Sequence, residues 1–188
     1  MRAVAICKSF GENRVLADFT EDFPEGKLTA VMGSSGCGKS TLLMILMGLL
    51  PADSGSVEMP ENSRISAVFQ EDRLCDNLTV SANIRLVTGK KYSPAEIDGH
   101  LLAVGLVGCA DKPVRELSGG MKRRTALLRA LLAEYDVLFL DEPFKGLDED
   151  TRLSVMDYTK CMTQGKTAVM VTHDSRECDF LADKVIRL

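Results

Sequence analysis

The eight residues Gly33-Ser34-Ser35-Gly36-Cys37-Gly38-Lys39-Ser40 constrain this chain more than any other stretch. They satisfy the spacing G-x-x-x-x-G-K-[S/T] at every fixed position. The apolar run Lys27–Met32 before them reads as a strand. Leu42–Leu50 after them reads as a buried helix stopped by Pro51. Lacking a Cβ, glycine lets backbone N–H groups turn inward around phosphate oxygens. A helix starting near Gly38 aims its positive end at the same anion. Lys39 is placed to reach β- and γ-phosphates and the Ser40 hydroxyl to ligate Mg2+, with Thr41 counted among the nucleotide contacts. An ordinary Gly/Ser surface loop is the alternative, and both flanks count against it.

Two further motifs gain meaning beside that loop. Val137-Leu138-Phe139-Leu140 is wholly apolar, as expected of a central parallel strand, and ends in Asp141-Glu142. Asp141 is a candidate for holding Mg2+, directly or through water, and Glu142 for polarising an attacking water. Alone, such a pair is usually a solvated turn. Leu117-Ser118-Gly119-Gly120-Met121 combines a serine cap with two glycines at a helix start, which exposes several N–H groups and makes a second anion site. A capped helix is the plain alternative, but two phosphate-grade sites far apart in one chain need a reason.

The first third is strand-rich. Arg2–Phe10 and Val15–Phe23 flank the turn Gly11-Glu12-Asn13, and Ile65–Phe69 is a further short strand. Ser93-Pro94-Ala95-Glu96 reads as a capping box with proline in the first helical turn, and Gly105 as its helix stop. Ser118 caps a helix through about Glu134, and Asp150–Cys161 is helical. Thr167–Val171 and Lys184–Leu188 are strands. The expected fold is α/β: a P-loop NTPase core with a mostly parallel sheet, an N-terminal antiparallel β subdomain and an inserted helical lobe. One domain spans 1–188, with the lobe at approximately 72–116.

Composition narrows the function. A chain of 188 residues buries roughly 70% of its unfolded surface. Its 45% hydrophobic and 27% charged residues exclude disorder. A net charge of −4, from 23 Lys+Arg against 27 Asp+Glu, argues against a general nucleic-acid binder. The basic cluster Lys122-Arg123-Arg124 with Arg129 has no interleaved aromatics and reads as a solvated helix face. The longest apolar run, Leu42–Leu50, has nine residues, and a membrane span needs about 20. No apolar core of signal-peptide length follows Met1, so a cytosolic protein is expected. None of the six cysteines forms a C-x-x-C pair, and they read as reduced thiols.

The motifs in this order resemble the ATP-binding subunits of ABC transporters over essentially the whole chain. Gly33–Ser40 is similar to Walker A, Asp141-Glu142 to Walker B with its catalytic glutamate, and Leu117–Met121 to the LSGGQ signature. Gln70 resembles the Q-loop glutamine, Gly146-Leu147-Asp148 the D-loop and His173 the switch histidine. Phe10 resembles the aromatic under adenine, with a packed strand phenylalanine as its alternative. The resemblance implies catalytic roles for Glu142, His173, Lys39 and Gln70. It implies nucleotide contacts from Phe10, the P-loop and Ser118, Gly119 and Gly120. Ser40, Gln70 and Asp141 would serve Mg2+. His100 matches no motif and reads as a plain helix residue.

The resemblance implies an ATPase that powers a membrane transporter, an importer by its similarity to the nitrate/sulfonate/taurine group. It would work on the cytoplasmic face of the membrane with integral-membrane permease subunits, and a second copy would complete an ATP sandwich. Met121 in place of the signature glutamine and Lys145 in the D-loop depart from the pattern, and only 15 residues follow His173 (188 − 173). A non-transport ATPase of the same superfamily acting on ribosomes or DNA is one alternative. A P-loop kinase or GTPase is the other, though no N-K-x-D-like guanine-reading motif is present and neither gives LSGGM a task.

Overall fold

In chain order the elements are β1 (Arg2–Phe10), β2 (Asn13–Asp22), β3 (Leu28–Met32), α1 (Lys39–Leu46), β4 (Ser54–Glu58), β5 (Ile65–Val68), α2 (Val80–Thr88), α3 (Pro94–Ala103), α4 (Gly119–Leu132), β6 (Val137–Asp141), α5 (Glu149–Thr163), β7 (Thr167–Thr172), α6 (Ser175–Leu181) and β8 (Lys184–Arg187). The computed structural model describes every residue, Met1–Leu188. The chain divides into two compact units.

The first unit comprises Met1–Ile65, Tyr135–Asp141 and Gln164–Leu188. In it β6, β7, β3 and β8 lie side by side, all parallel. Every residue of β6 and β7 is buried, as is all of β3 except Met32. This is why these strands read as continuous apolar runs rather than alternating ones. The register pairs Met32 with Thr172 and Asp141 with Val171, so three strands end on one edge. The same unit holds the antiparallel sheet β2-β1-β4. Helix α1 ends at Leu46, short of the expected Leu50. Gly48 has φ +71, its N–H donates to the Ile45 carbonyl at 3.0 Å, and Leu49 N–H donates to the Met44 carbonyl at 2.9 Å. That Schellman closure ends the helix before Pro51 can.

The second unit comprises Ser66–Glu134 and Glu142–Thr163. It therefore takes in α4 and α5 as well as the segment 72–116. The capping box of α3 is present, with Ser93 and Glu96 bonding each other's backbone N–H. Fully buried Asn83 braces the entry to α2: its Nδ2 donates to the carbonyls of Cys75 (3.1 Å) and Thr79 (3.0 Å), and its Oδ1 accepts from Cys75 N–H (2.8 Å). His100 is more than a plain helix residue. Its Nδ1 lies 2.8 Å from the Tyr158 hydroxyl, and its ring meets Tyr92 and Tyr158 edge to face. Burial holds its imidazole below the usual histidine range.

A close approach in the antiparallel sheet yields a stability test. Ala5 bulges out of β1 with φ +51, and Gly55 faces it with φ +87. A Cβ on Gly55 would run into the carbonyl oxygens of Ala5 and Val4. Gly55→Ala is expected to destabilise by about 2–5 kcal/mol, from left-handed strain and backbone overpacking together. Chemical denaturation measures it, and a change under about 0.5 kcal/mol, the range of ordinary surface substitutions, would contradict the bulge geometry.

Candidate functional site

In the first unit the P-loop leaves β3 at its carboxyl end and enters α1. Gly36 and Gly38 have φ +82 and +105, a conformation that L side chains rarely adopt. A Cβ on Gly33 would lie 2.6 Å from Cys37 Sγ, and one on Gly38 would lie 2.5 Å from Val15 Cγ1. No side chain caps α1 at Gly38, which leaves first-turn N–H groups available to an anion. Lys39 is 7% exposed, and its Nζ donates to the carbonyls of Gly33 and Ser34, both at 2.8 Å. The ammonium is thus curled back onto the carbonyls of the loop, which leaves the loop N–H groups out of its bonding.

Asp141 ends β6 and His173 follows β7, so both join the P-loop at one edge of the parallel sheet. Open α/β sheets place ligands at that carboxyl edge. Asp141 is buried, whereas His173 is exposed on a turn braced from below. There the Thr172 hydroxyl donates to Glu177 Oε2 at 2.6 Å and accepts from Asp174 N–H at 3.1 Å. Ser40 and Asp141 offer hard oxygen donors. Mg2+ takes few protein ligands and keeps water and phosphate oxygens as the rest, so this sparse donor set fits it. Phe10, at the end of β1, is 51% exposed and lies outside the buried core. Its strand end is pinned by Asp53, which accepts from Lys8 Nζ and Ser9 N–H at 2.7 Å each. These donors hold the Asp53 carboxyl below its usual range. Lys8 Nζ also sits 5.6 Å from the Phe10 ring centroid.

In the second unit Gln70 is exposed just after β5, and Glu142 is half-buried with a left-handed φ of +48. Ser118 caps α4 by accepting from Met121 N–H at 3.3 Å. A Cβ added at Gly119 would meet nothing within 4 Å, so the backbone there is open to a ligand. Asp148 of the D-loop-like stretch accepts from Thr151 N–H at 3.0 Å in the first turn of α5, a bond that holds its carboxyl below the usual range.

The basic cluster on α4 does not form a solvated face. Arg123 is 4% exposed and donates to the carbonyls of Phe69 (2.6 Å) and Glu142 (2.6 Å) and to Asp72 Oδ1 (3.1 Å). Arg124 donates to the Val104 and Gly105 carbonyls at 3.0 and 2.8 Å, and Arg129 to the Arg73 carbonyl at 3.1 Å. Only Lys122, paired with Asp76 at 3.1 Å, fits the surface reading in part. The signal for the correction was legible. Arg123 shares a helical stripe with Ala126, Leu127, Ala130 and Leu131, all buried, and a cation in an apolar stripe must find partners.

The carboxyl-edge P-loop after β3, its uncapped helix and the acid-terminated β6, separated from β3 by β7 alone, define a P-loop nucleoside triphosphatase. The ABC transporter family model matches residues 16–145. An aliphatic sulfonates import ATP-binding protein of Pseudomonas aeruginosa is 38% identical, covering 96% of this chain and 78% of its own. A protein of the same description from Rhizobium johnstonii is 41% identical, covering 96% and 70%. The solved dimer of the ATP-binding cassette MJ0796 bound to ADP and Pi superposes with a TM-score of 0.84 at 28% identity, covering all of this chain and 93% of that one. The chain belongs to the ABC transporter family and is one of its ATP-binding, ATP-hydrolysing subunits.

Replacing Lys39 by alanine tests the loop. It removes the one ammonium held over the P-loop carbonyls. ATP binding is expected to weaken by about 1.5–3 kcal/mol, roughly 10- to 150-fold in Kd. Titration with a fluorescent ATP analogue measures it, and unchanged affinity would remove Lys39 from the site.

Proposed function

We propose that this chain powers a membrane importer from the cytoplasmic face, with permease subunits as partners and two copies closing around two ATP molecules. The observation that supports it best is the pair of backbone anion sites at the starts of α1 and α4, one in each compact unit. One bound nucleotide needs only the P-loop. The Ser118-Gly119-Gly120 site is then available to the nucleotide of a second copy, as the dimeric form of the structural neighbour suggests. The relatives are import proteins by name, and they match 95% or more of this chain, which favours import over an action on ribosomes or DNA.

In this reading water attacks the γ-phosphorus in line, its O–P bond forming as the bond to the β–γ bridging oxygen breaks. Glu142 orients that water and accepts its proton. Lys39 and the first-turn N–H groups of α1 stabilise charge developing on the phosphoryl oxygens. Gln70 and His173 report the γ-phosphate to the rest of the subunit, and Phe10 stacks on adenine. Ser40 and Asp141 would hold Mg2+, with Gln70 assigned to the same ion by the resemblance alone, and the ion would neutralise part of the triphosphate charge.

Phe10→Ala should weaken nucleotide binding by about 1–3 kcal/mol at most, the worth of one stacking contact, while Phe10→Tyr stays near wild type. Equal affinities for Phe10→Ala and the parent would remove the stacking role.

The sandwich is tested with Glu142→Gln, which keeps the side-chain shape and loses the base. The variant should bind Mg-ATP, stall in hydrolysis, and shift from monomer to dimer in light scattering when Mg-ATP is added. Adding Ser118→Arg fills the second anion site and should abolish that dimer. Removal of the α4 cap costs only about 1 kcal/mol, so the double variant should stay folded. A dimer that forms equally well with Ser118→Arg refutes the sandwich, because the signature would then be a helix cap alone.

A further inference from the structure

We propose that Arg123 is a positioning residue that locks the Gln70 segment and Glu142 to one another, so that the two hold their geometry together. The inference rests on the roles proposed above for those two residues. The Arg123 side chain is 5% exposed and lies wholly within the second unit. One terminal nitrogen, Nη1, serves the Gln70 segment: it donates to Phe69 O at 2.6 Å, is 3.4 Å from Gln70 O, and reaches Asp72 Oδ1 at 3.1 Å. The other, Nη2, donates to Glu142 O at 2.6 Å.

That last contact acts where the backbone is strained. Glu142 is a non-glycine residue at φ +48, and its carbonyl also accepts from Lys145 N–H at 3.2 Å. Two donors on one carbonyl fix the peptide plane after Glu142, and with it the direction from which its carboxylate leaves the chain. Such strained backbone persists only where surrounding contacts over-determine it. The two bonds of 2.6 Å are charge-assisted and sit in a buried setting, where taking partners away from a guanidinium is costly. The planar fork suits this task because its two ends are rigidly spaced, whereas a lysine ammonium would serve one segment well and the other poorly. A lone loop staple would need one of these segments, and Arg123 holds both.

The experiment compares Arg123→Met, Arg123→Lys, Glu142→Gln and the Arg123→Met/Glu142→Gln double variant as purified full chains. For Arg123→Met, the single-turnover hydrolysis rate should fall on the order of 100-fold, with Kd for ATP changed by less than about 3-fold. Because Arg123 acts through Glu142, the same change in the Glu142→Gln background should lower the residual rate by less than about 3-fold. Amide hydrogen exchange in Arg123→Met should rise together in peptides covering 69–73 and 142–146, with the middle of α5 unchanged. Arg123→Lys should keep protection in one segment and lose it in the other, which also serves if Arg123→Met fails to fold. Full multiplicative loss in the double variant, or exchange that rises in neither segment, overturns the proposal. If Glu142→Gln hydrolyses ATP at the parent rate, the assignment of Glu142 fails instead, and the exchange measurement still judges the lock.

Discussion

The parallel register of β6, β7 and β3 is the constraint on which the site depends. Pairing Met32 with Thr172 and Asp141 with Val171 ends three strands on one line. From it leave the P-loop, the His173 turn and the acidic pair. A slip of one residue in β7 would turn its side chains to the opposite face and move the Thr172–Glu177 bond that braces the turn. Continuous burial of these strands on both faces makes such a slip costly. The chemistry is therefore positioned by largely apolar ladders, whose one candidate site residue, Asp141, stands at the last position of β6.

The second unit solves a different problem. The segment after β5 has no regular structure of its own through Asn77, and α4 holds it with cations, two on backbone carbonyls and one on a carboxylate. Arg123 takes Phe69, Arg129 takes Arg73, and Lys122 pairs with Asp76. Asn83 does the same with neutral bonds at Cys75 and Thr79. Loop backbone bonded by side chains can be held firmly without joining a sheet. A helix that looks basic in one dimension thus spends its charges inward.

Much of this was legible because backbone-driven motifs announce themselves. The glycines at 36 and 38 are needed for their positive φ, Ser118 for a cap, and Ser93 with Glu96 for a capping box; each imposes a residue type at a fixed spacing. The apolar runs of β6 and β7 are equally plain. The buried arginines were misread because charge was weighed before periodicity, although Arg123 lies in the stripe of Leu127 and Leu131. Pro51 is the plainer stop signal in the sequence, but Gly48, whose positive φ closes the helix first, ends α1. Contacts such as Lys8 with Asp53, or His100 with Tyr158, join residues distant in sequence and leave no local pattern to find.

The aromatic cluster around His100 has an optical consequence. The chain has no tryptophan and three tyrosines, so tyrosine emission is not drained by energy transfer to an indole. Two of the three, Tyr92 and Tyr158, flank the same imidazole in the second unit, while Tyr135 lies in the first beside Lys166 at 6.0 Å. The hydroxyl of Tyr158 shares a hydrogen bond with that ring, and in the tautomer whose Nδ1 accepts, an excited phenol, being a stronger acid, passes its proton across that bond. Weak emission from Tyr158 is the expected consequence in that tautomer. Any rearrangement that parts α3 from α5 would brighten it without a label.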